Sequence, residues 1–194
     1  MPSILSHPAV PLAIGLGLGR KLIPRPLLLA GVLLSILPDL DVLAFRLGIP
    51  YGDAFGHRGF SHALFSAALL ALLAGWYCQR RYPVSFRVAC GYLFVAMASH
   101  GLLDTLTTGG KGVALLWPFS NERFFAPLQF IQVSPIGAGR FLSARGLTVL
   151  ISELQWVWLP AIALGLLIAC CRRSIHSRSE QNRNRPKPPA ADTR

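Results

Sequence analysis

Apolar residues fall in long blocks separated by short clusters of Arg, Lys, Gly and Pro. A bilayer-spanning helix needs about 20 mostly apolar residues, because the hydrocarbon core is about 30 Å thick and each residue rises about 1.5 Å. Five blocks approach or meet that length. The first, Ile4 to Gly19, is short, and its Gly15, Gly17 and Gly19 suit tilt, partial insertion or close helix packing. No strand precedes these glycines, so they do not read as a dinucleotide-binding turn. The second block runs from Pro26 to about Phe45, with Pro26 suited to a helix start and Pro38 to a break near the far end. The third, Phe60 to Cys78, ends against Gln79-Arg80-Arg81. The fourth, Val84 to about Leu106, and the fifth, Gly146 to Cys171, are long enough to cross with some tilt. The pattern predicts an all-α polytopic membrane bundle: four full spans and a shorter first helix, forming one membrane-embedded domain over residues 1–171.

Between the fourth and fifth blocks, Thr107 to Arg145 carries Trp117, Phe119, Phe124, Phe125 and Phe130. A connection of that length is functional or disordered, and this one is too apolar for disorder. It is expected to form an interfacial or re-entrant cap.

Composition agrees with a membrane class: 53% of the 194 residues are hydrophobic, 14% are charged, and the mean hydropathy is +0.49. The net charge of +11 would suggest nucleic acid if it were spread over a surface, but seven basic residues lie from Arg172 onward in a Pro-containing tail without aromatics. Residues 172–194 therefore read as a basic, disordered, cytoplasmic tail, and no nucleic-acid partner is expected. Arg20, Lys21 and Arg25 follow the first helix, and Arg80, Arg81 and Arg87 separate the third from the fourth. With alternating helices these share the tail's side, leaving Arg46, Arg58, Lys111, Arg123, Arg140 and Arg145 opposite. The positive-inside rule then puts the C-terminus in the cytoplasm and the N-terminus outside. Met1 to Ala9 has no Lys or Arg, so the first segment is expected to remain rather than be cleaved as a signal peptide. Cys78, Cys90, Cys170 and Cys171 show no CxxC spacing and sit in or beside apolar runs, so neither a zinc ribbon nor a disulfide framework is expected.

The remaining ionisable residues are few and concentrated at helix ends. His7 precedes the first helix, Asp39 and Asp41 close the second, and His57, Arg58 and His62 open the third. His100 and Asp104 lie near the end of the fourth, and Glu153 lies inside the fifth. With alternating helices, all fall toward the non-cytoplasmic side. His100 and Asp104, four residues apart, share a helix face with Cβ atoms roughly 5–6 Å apart. Asp39 and Asp41 would diverge on a regular helix, but a break at Pro38 lets both face one site. Imidazole and carboxylate together are a ligand set for Zn, Mn or non-haem Fe. Glu153, roughly 10 Å into its helix, needs a partner at membrane depth. Singly, each residue has an ordinary reading: His7 and Arg58 as interfacial residues, Asp39 and Ser61 as caps, Asp104 as a helix end. Three separate helix ends presenting His or Asp on one face point to a shared site. Ser61 beside His62 is not read as a nucleophile, because adjacent helical residues diverge.

At these residues the chain resembles the YdjM family of inner-membrane-associated proteins described as metal-dependent hydrolases and as LexA-binding. The motifs are Leu37-Pro38-Asp39-Leu40-Asp41, Gly56-His57-Arg58-Gly59-Phe60-Ser61-His62, Ser99-His100-Gly101-Leu102-Leu103-Asp104 followed by Thr105-Leu106-Thr107, and Leu115-Leu116-Trp117-Pro118. The resemblance spans roughly residues 7 to 160. It implies His7, Asp39, Asp41, His57, His62, His100 and Asp104 as metal ligands or site residues, and phospholipase-like chemistry. A repressor can control a membrane protein without touching it, and no stretch here reads as a surface for LexA.

The expected function is metal-dependent hydrolysis of a membrane lipid or another phosphoester. One or two divalent ions, zinc first, would be held by the His and Asp residues, with water as nucleophile. Arg58 would neutralise a phosphoryl oxygen, and Glu153 or a carboxylate not committed to metal would take the proton. The alternatives are a metal or proton transporter using the same cluster as a relay, and a non-catalytic structural membrane protein.

Overall fold

The computed structural model describes residues 1–135 and 137–183, and the described chain is helical without strands. Helix α1 (Ala9–Leu18) is followed by α2 (Arg25–Ile36), which opens with Pro26 at a position where the missing N–H costs nothing. At Pro38 the α-helix gives way to a 3-10 segment, Leu37–Leu47, so the expected break is a change of helix type. A 3-10 turn, Phe60–His62, leads into α3 (Leu64–Arg81), and α4 (Phe86–Thr105) returns after a Ser85 cap whose hydroxyl accepts from Val88 N–H.

The last membrane segment is compound: a short α5 (Ala138–Phe141), then α6 (Ala144–Glu153), a π-helical turn over Leu154–Trp158, and α7 (Leu159–Arg183). Pro160 lies two residues past the end of the π turn and can donate no backbone hydrogen bond. A widened turn just before it relieves the ring's clash with the preceding carbonyls. Helix α7 continues to Arg183, past the boundary at residue 171 expected for the tail, while residues 184–194 lie outside the described residues.

Among the described residues, three segments are long and apolar enough to cross a bilayer: Arg25–Leu47, Phe86–Thr105 and Ala144–Ile175. The expectation was four. Helix α3 starts four residues later than predicted, and Gln79-Arg80-Arg81 lie inside its 18 residues, which dilutes its hydropathy.

Three apolar clusters hold the described bundle, the smallest of them Ala67, Met97 and Ala98 between α3 and α4. Leu27, Ala71, Ala89 and Leu93 join α2, α3 and α4, while Ala9, Ala13, Ile131, Val157 and Ala161 join α1, the 107–145 connection and α7. Without a strong hydrophobic drive inside lipid, helices associate through close packing. The glycines of α1 provide it: a side chain at Gly15 would strike Leu28, and one at Gly17 would strike Gly165 O and Ile168. Gly75 does the same for α3 against Cys90. The cysteines are free thiols.

The 107–145 connection folds back as the expected cap. Ile131 N–H donates to Leu106 O, Ala126 N–H to Thr105 O and Leu64 N–H to Leu115 O, which ties it to the ends of α4 and α3.

A candidate metal centre at one end of the bundle

Each local break in the chain brings a polar side chain to the same place. The 3-10 segment after Pro38 lets Asp39 and Asp41 serve neighbouring sides of one cluster, and the 3-10 turn before α3 presents His62. Regular α-helical spacing presents His100 and Asp104 from α4. His7 arrives on the segment before α1 and stacks on His100, ring centroids 3.6 Å apart. All of these residues are buried, and His7, His100 and Asp104 have no solvent exposure.

The inner atoms face one another at the separations of ligands around one ion. His7 Nε2 lies 3.7 Å from Asp39 Oδ2 and 3.9 Å from Asp104 Oδ1. His100 Nε2 lies 3.5 Å from Asp39 Oδ1 and 3.0 Å from His62 Nε2, which in turn is 3.3 Å from Asp104 Oδ2. Two ligands on a tetrahedral zinc with bonds of roughly 2.0–2.2 Å sit roughly 3.3–3.6 Å apart. His7, Asp39 and His100 form one compact triplet, and His62, His100 and Asp104 form another.

Both ring nitrogens of His7 and both oxygens of Asp39 and of Asp104 are buried without a hydrogen-bond partner. Such atoms cost about 1–3 kcal/mol each when left unmet, so their gathering around one point fits a cation. Formal charge agrees: Asp39, Asp41 and Asp104 against Arg58 leave two negative charges in a buried space, the charge one divalent ion cancels.

Around this inner group lies a ring whose hydrogen bonds are complete. His100 Nδ1 is 2.7 Å from Ser35 O; a carbonyl only accepts, so Nδ1 carries the proton and Nε2 turns its lone pair inward. Asp41 does the same for His62, whose Nδ1 is 3.1 Å from Asp41 Oδ2. Asp41 also accepts from Ser61 Oγ at 2.8 Å and Arg58 N at 2.9 Å, and its Oδ1 is 2.5 Å from His57 Nδ1. His57 and Asp41 therefore hydrogen-bond each other beside the inner group, and neither belongs to the two triplets. Ser61 bonds Asp41 and does not cap α3, whose preceding residue, Ala63, has no capping side chain.

Arg58 is fully buried at φ 60, a left-handed conformation rare for a residue with a Cβ. Its Nη1 donates to Gly109 O at 3.1 Å, its Nη2 to Thr107 Oγ1 at 3.0 Å, and its Nε lies 3.0 Å from Asp104 Oδ2. Backbone strain of this kind clusters at functional sites.

Glu153 stands apart from both triplets. Its carboxylate accepts from Ser3 N–H, from Ser3 Oγ at 2.7 Å and from Ser6 Oγ at 2.8 Å, so it clasps the segment that carries His7. The residue expected to take a proton already has both oxygens engaged.

Sequence reasoning overlooked Ser3, Ser6, Ser35, Thr107 and Arg123. The Ser3-x-x-Ser6-His7 run was a readable signal; the carbonyl of Ser35 was not. Arg123 donates to the carbonyls of His57 and Tyr51 at 3.0 Å and of Asp53 at 3.1 Å, locking the loop before α3 under the cap. Burial pushes its guanidinium below the usual arginine range.

Apolar helices able to cross a bilayer, joined at one end by a buried His and Asp cluster shaped for a cation, define a polytopic membrane protein with a candidate metal centre. The chain belongs to the YdjM inner membrane protein family, which it matches over residues 1–176. It is 51% identical to the inner membrane protein YbcI of Escherichia coli strain K12 over 164 residues, covering 84% of this chain and 95% of that one. It is 37% identical over 109 residues to the inner membrane protein YdjM of the same strain, covering 51% of this chain and 52% of that one, and equally to YdjM of Shigella flexneri. No solved structure matches.

Proposed function

We propose that this protein is a membrane-bound hydrolase that uses one divalent ion, zinc by its donor set, to cleave a lipid or another phosphoester. The observation that supports this reading is the set of buried, unpartnered atoms of His7, Asp39 and Asp104 converging on His62 and His100. A divalent ion held there supplies Lewis acidity and makes water acidic enough to deprotonate near neutral pH. The two triplets share His100, and one imidazole nitrogen has one lone pair, so they describe overlapping halves of a single site. One dication also balances the cluster's charge.

The chain's own residues divide the remaining work. Asp41 and the Ser35 carbonyl hold His62 and His100 with their Nε2 atoms inward, the carboxylate-histidine support that raises ligand basicity. Asp39 and Asp104 present four oxygens, more than one ion needs, and an uncommitted one accepts a proton from water. Arg58 has five N–H donors: Nη1 and Nη2 each place one on Gly109 and Thr107, Nε faces Asp104 as an ion pair, and the two remaining Nη hydrogens are assigned to a phosphoryl oxygen. Glu153 positions His7 through Ser3 and Ser6.

A transporter would need polar groups continuing toward the other end of the bundle. The interior in that direction is Leu27, Ala71, Cys78, Ala89 and Leu93, which supports the closed site of a hydrolase. The distribution of basic residues supports a cytoplasmic C-terminus and a centre in the outer half of the membrane, and a C-terminal reporter active only outside the cytoplasm overturns that orientation if it lights up. The decisive experiment is elemental analysis of the detergent-purified full chain beside His62→Ala and Asp104→Ala, followed by phosphoester hydrolysis assays. Near-stoichiometric metal in the parent and loss in both variants is expected; stoichiometric metal surviving both substitutions sinks the site.

A further inference from the structure

The end of the bundle opposite the cluster has a different character. Helices α1 and α7 touch closely at Gly17 and Gly165, then separate where Gly19, at φ 80, ends α1. A side chain at Gly19 would overlap the Arg172 guanidinium, which lies over it. Beyond that contact a cavity of about 1060 Å³ opens between the helices. Leu18, Leu22, Leu167 and Ile168 wall it, and Arg20, Lys21, Arg172 and Arg173 stand in the same lining; among the described residues no carboxylate does. A second groove of about 370 Å³ runs along the same seam past Leu16, Gly17, Ile162 and Leu166 toward Ala9. Leu16, Leu166 and Leu167 are all more than 60% exposed, so the seam presents hydrocarbon where the chain alone does not cover it.

We propose that this seam is a binding site for an anionic glycerophospholipid, with the phosphodiester among Arg20, Lys21, Arg172 and Arg173 and an acyl chain along the α1–α7 groove. The pairing of clustered cations with an adjoining apolar trough matches a headgroup and tail on one molecule. A soluble anion would leave the trough uncovered, and a lipid without net negative charge would leave four clustered cations repelling one another. The site lies beyond the C-terminal end of α1, whereas His7 precedes its N-terminal end, so it is distinct from the metal centre and does not depend on the hydrolase reading.

The test uses the full chain in detergent, with thermal unfolding and native mass spectrometry read against added phosphatidylglycerol, phosphatidylethanolamine with the same acyl chains, and inorganic phosphate. Phosphatidylglycerol is expected to remain bound and to raise the unfolding temperature, with little effect of the other two. The double variant Arg20→Gln/Arg172→Gln is expected to weaken that lipid about tenfold or more, and Lys21→Gln, which removes one charge rather than two, to weaken it less. Arg80→Gln/Arg81→Gln, which removes equal charge from the end of α3, is expected to leave it unchanged. Equal stabilisation by phosphatidylethanolamine or by phosphate alone, or an equal loss in the Arg80/Arg81 variant, overturns the proposal.

Discussion

The inner and outer parts of the polar cluster are made of the same residue types and behave oppositely. Asp39 and Asp104 are carboxylates without hydrogen-bond partners, whereas Asp41, two residues from Asp39, accepts from Ser61, Arg58 N and the two histidines His57 and His62. His7 has two orphan ring nitrogens, whereas His57 has a carboxylate on Nδ1. Burial does not separate them, since both sets are nearly inaccessible. What separates them is where the lone pairs point. A lone pair already met by the chain orients its neighbours, while a buried one left unmet costs about 1–3 kcal/mol unless a ligand outside the chain completes it.

The sharpest way to break that distinction is to remove an inner donor. Asp104→Ala and His62→Ala are each expected to lower metal affinity by more than about a hundredfold, beyond the roughly 10–100-fold typical of residues that support ligands. Elemental analysis with competing chelators reads this directly. Asp41→Asn keeps the shape and removes the charge that holds His57 and His62, and should fall inside the 10–100-fold range while reaching full occupancy at saturating metal. If Asp41→Asn never fills with metal while Asp104→Ala does, the inner and outer assignments are reversed.

Glu153 comes next in size. It touches neither triplet, yet it secures Ser3 and Ser6 and so the position of His7. Glu153→Gln keeps one acceptor oxygen and turns a donor toward the serines, so an affinity loss of about tenfold is expected, together with faster amide exchange over residues 1–8. A large metal loss with unchanged exchange would place Glu153 among the donors instead. Chelation should also lower the unfolding temperature of the parent, since an ion present at 100 times its Kd adds about 2.7 kcal/mol to the folded state; a parent indifferent to chelator has no metal-dependent fold.

Much of the cluster was legible because its members sit at helix ends, where an ionisable residue in an apolar chain is conspicuous. His100 and Asp104 followed from helical spacing alone, and Pro38 announced the change that lets Asp39 and Asp41 serve one site. The division between ligand and support was not legible. Asp39 and Asp41 look alike in sequence, and only the approach of His57, Ser61 and Arg58 N from a different segment decides which carboxylate is satisfied. Glu153 was visible as a buried acid, but its partners lie some 150 positions earlier in the chain, a distance over which no local period operates. Helix α3 begins four residues inside its apolar run and ends on Gln79-Arg80-Arg81, so the run and the helix are offset in a way the sequence pattern alone does not show.

The smallest expected effect concerns the cap. Arg123 reaches five backbone carbonyls, of His57 and Tyr51 at 3.0 Å, of Asp53 at 3.1 Å and of Arg58 and Gly112 at 3.4 Å, from a side chain with no neighbour in sequence to suggest the role. It touches no inner donor, so if the outer part of the cluster acts only by orientation, loosening the cap should be felt as stability more than as affinity. Charge-assisted hydrogen bonds to carbonyls are worth roughly 1.5–3 kcal/mol each when buried, and less where water competes, as at the more exposed Asp53 contact. Arg123→Gln, which can still offer two N–H donors, should cost about 1–2 kcal/mol in unfolding free energy and leave metal affinity within about threefold. The His57 and Arg58 carbonyls are the paths by which the change could reach further, because His57 braces Asp41 and Arg58 faces Asp104. A metal loss as large as that of Asp41→Asn would therefore show that the cap, and not only the ring beneath it, fixes the inner donors.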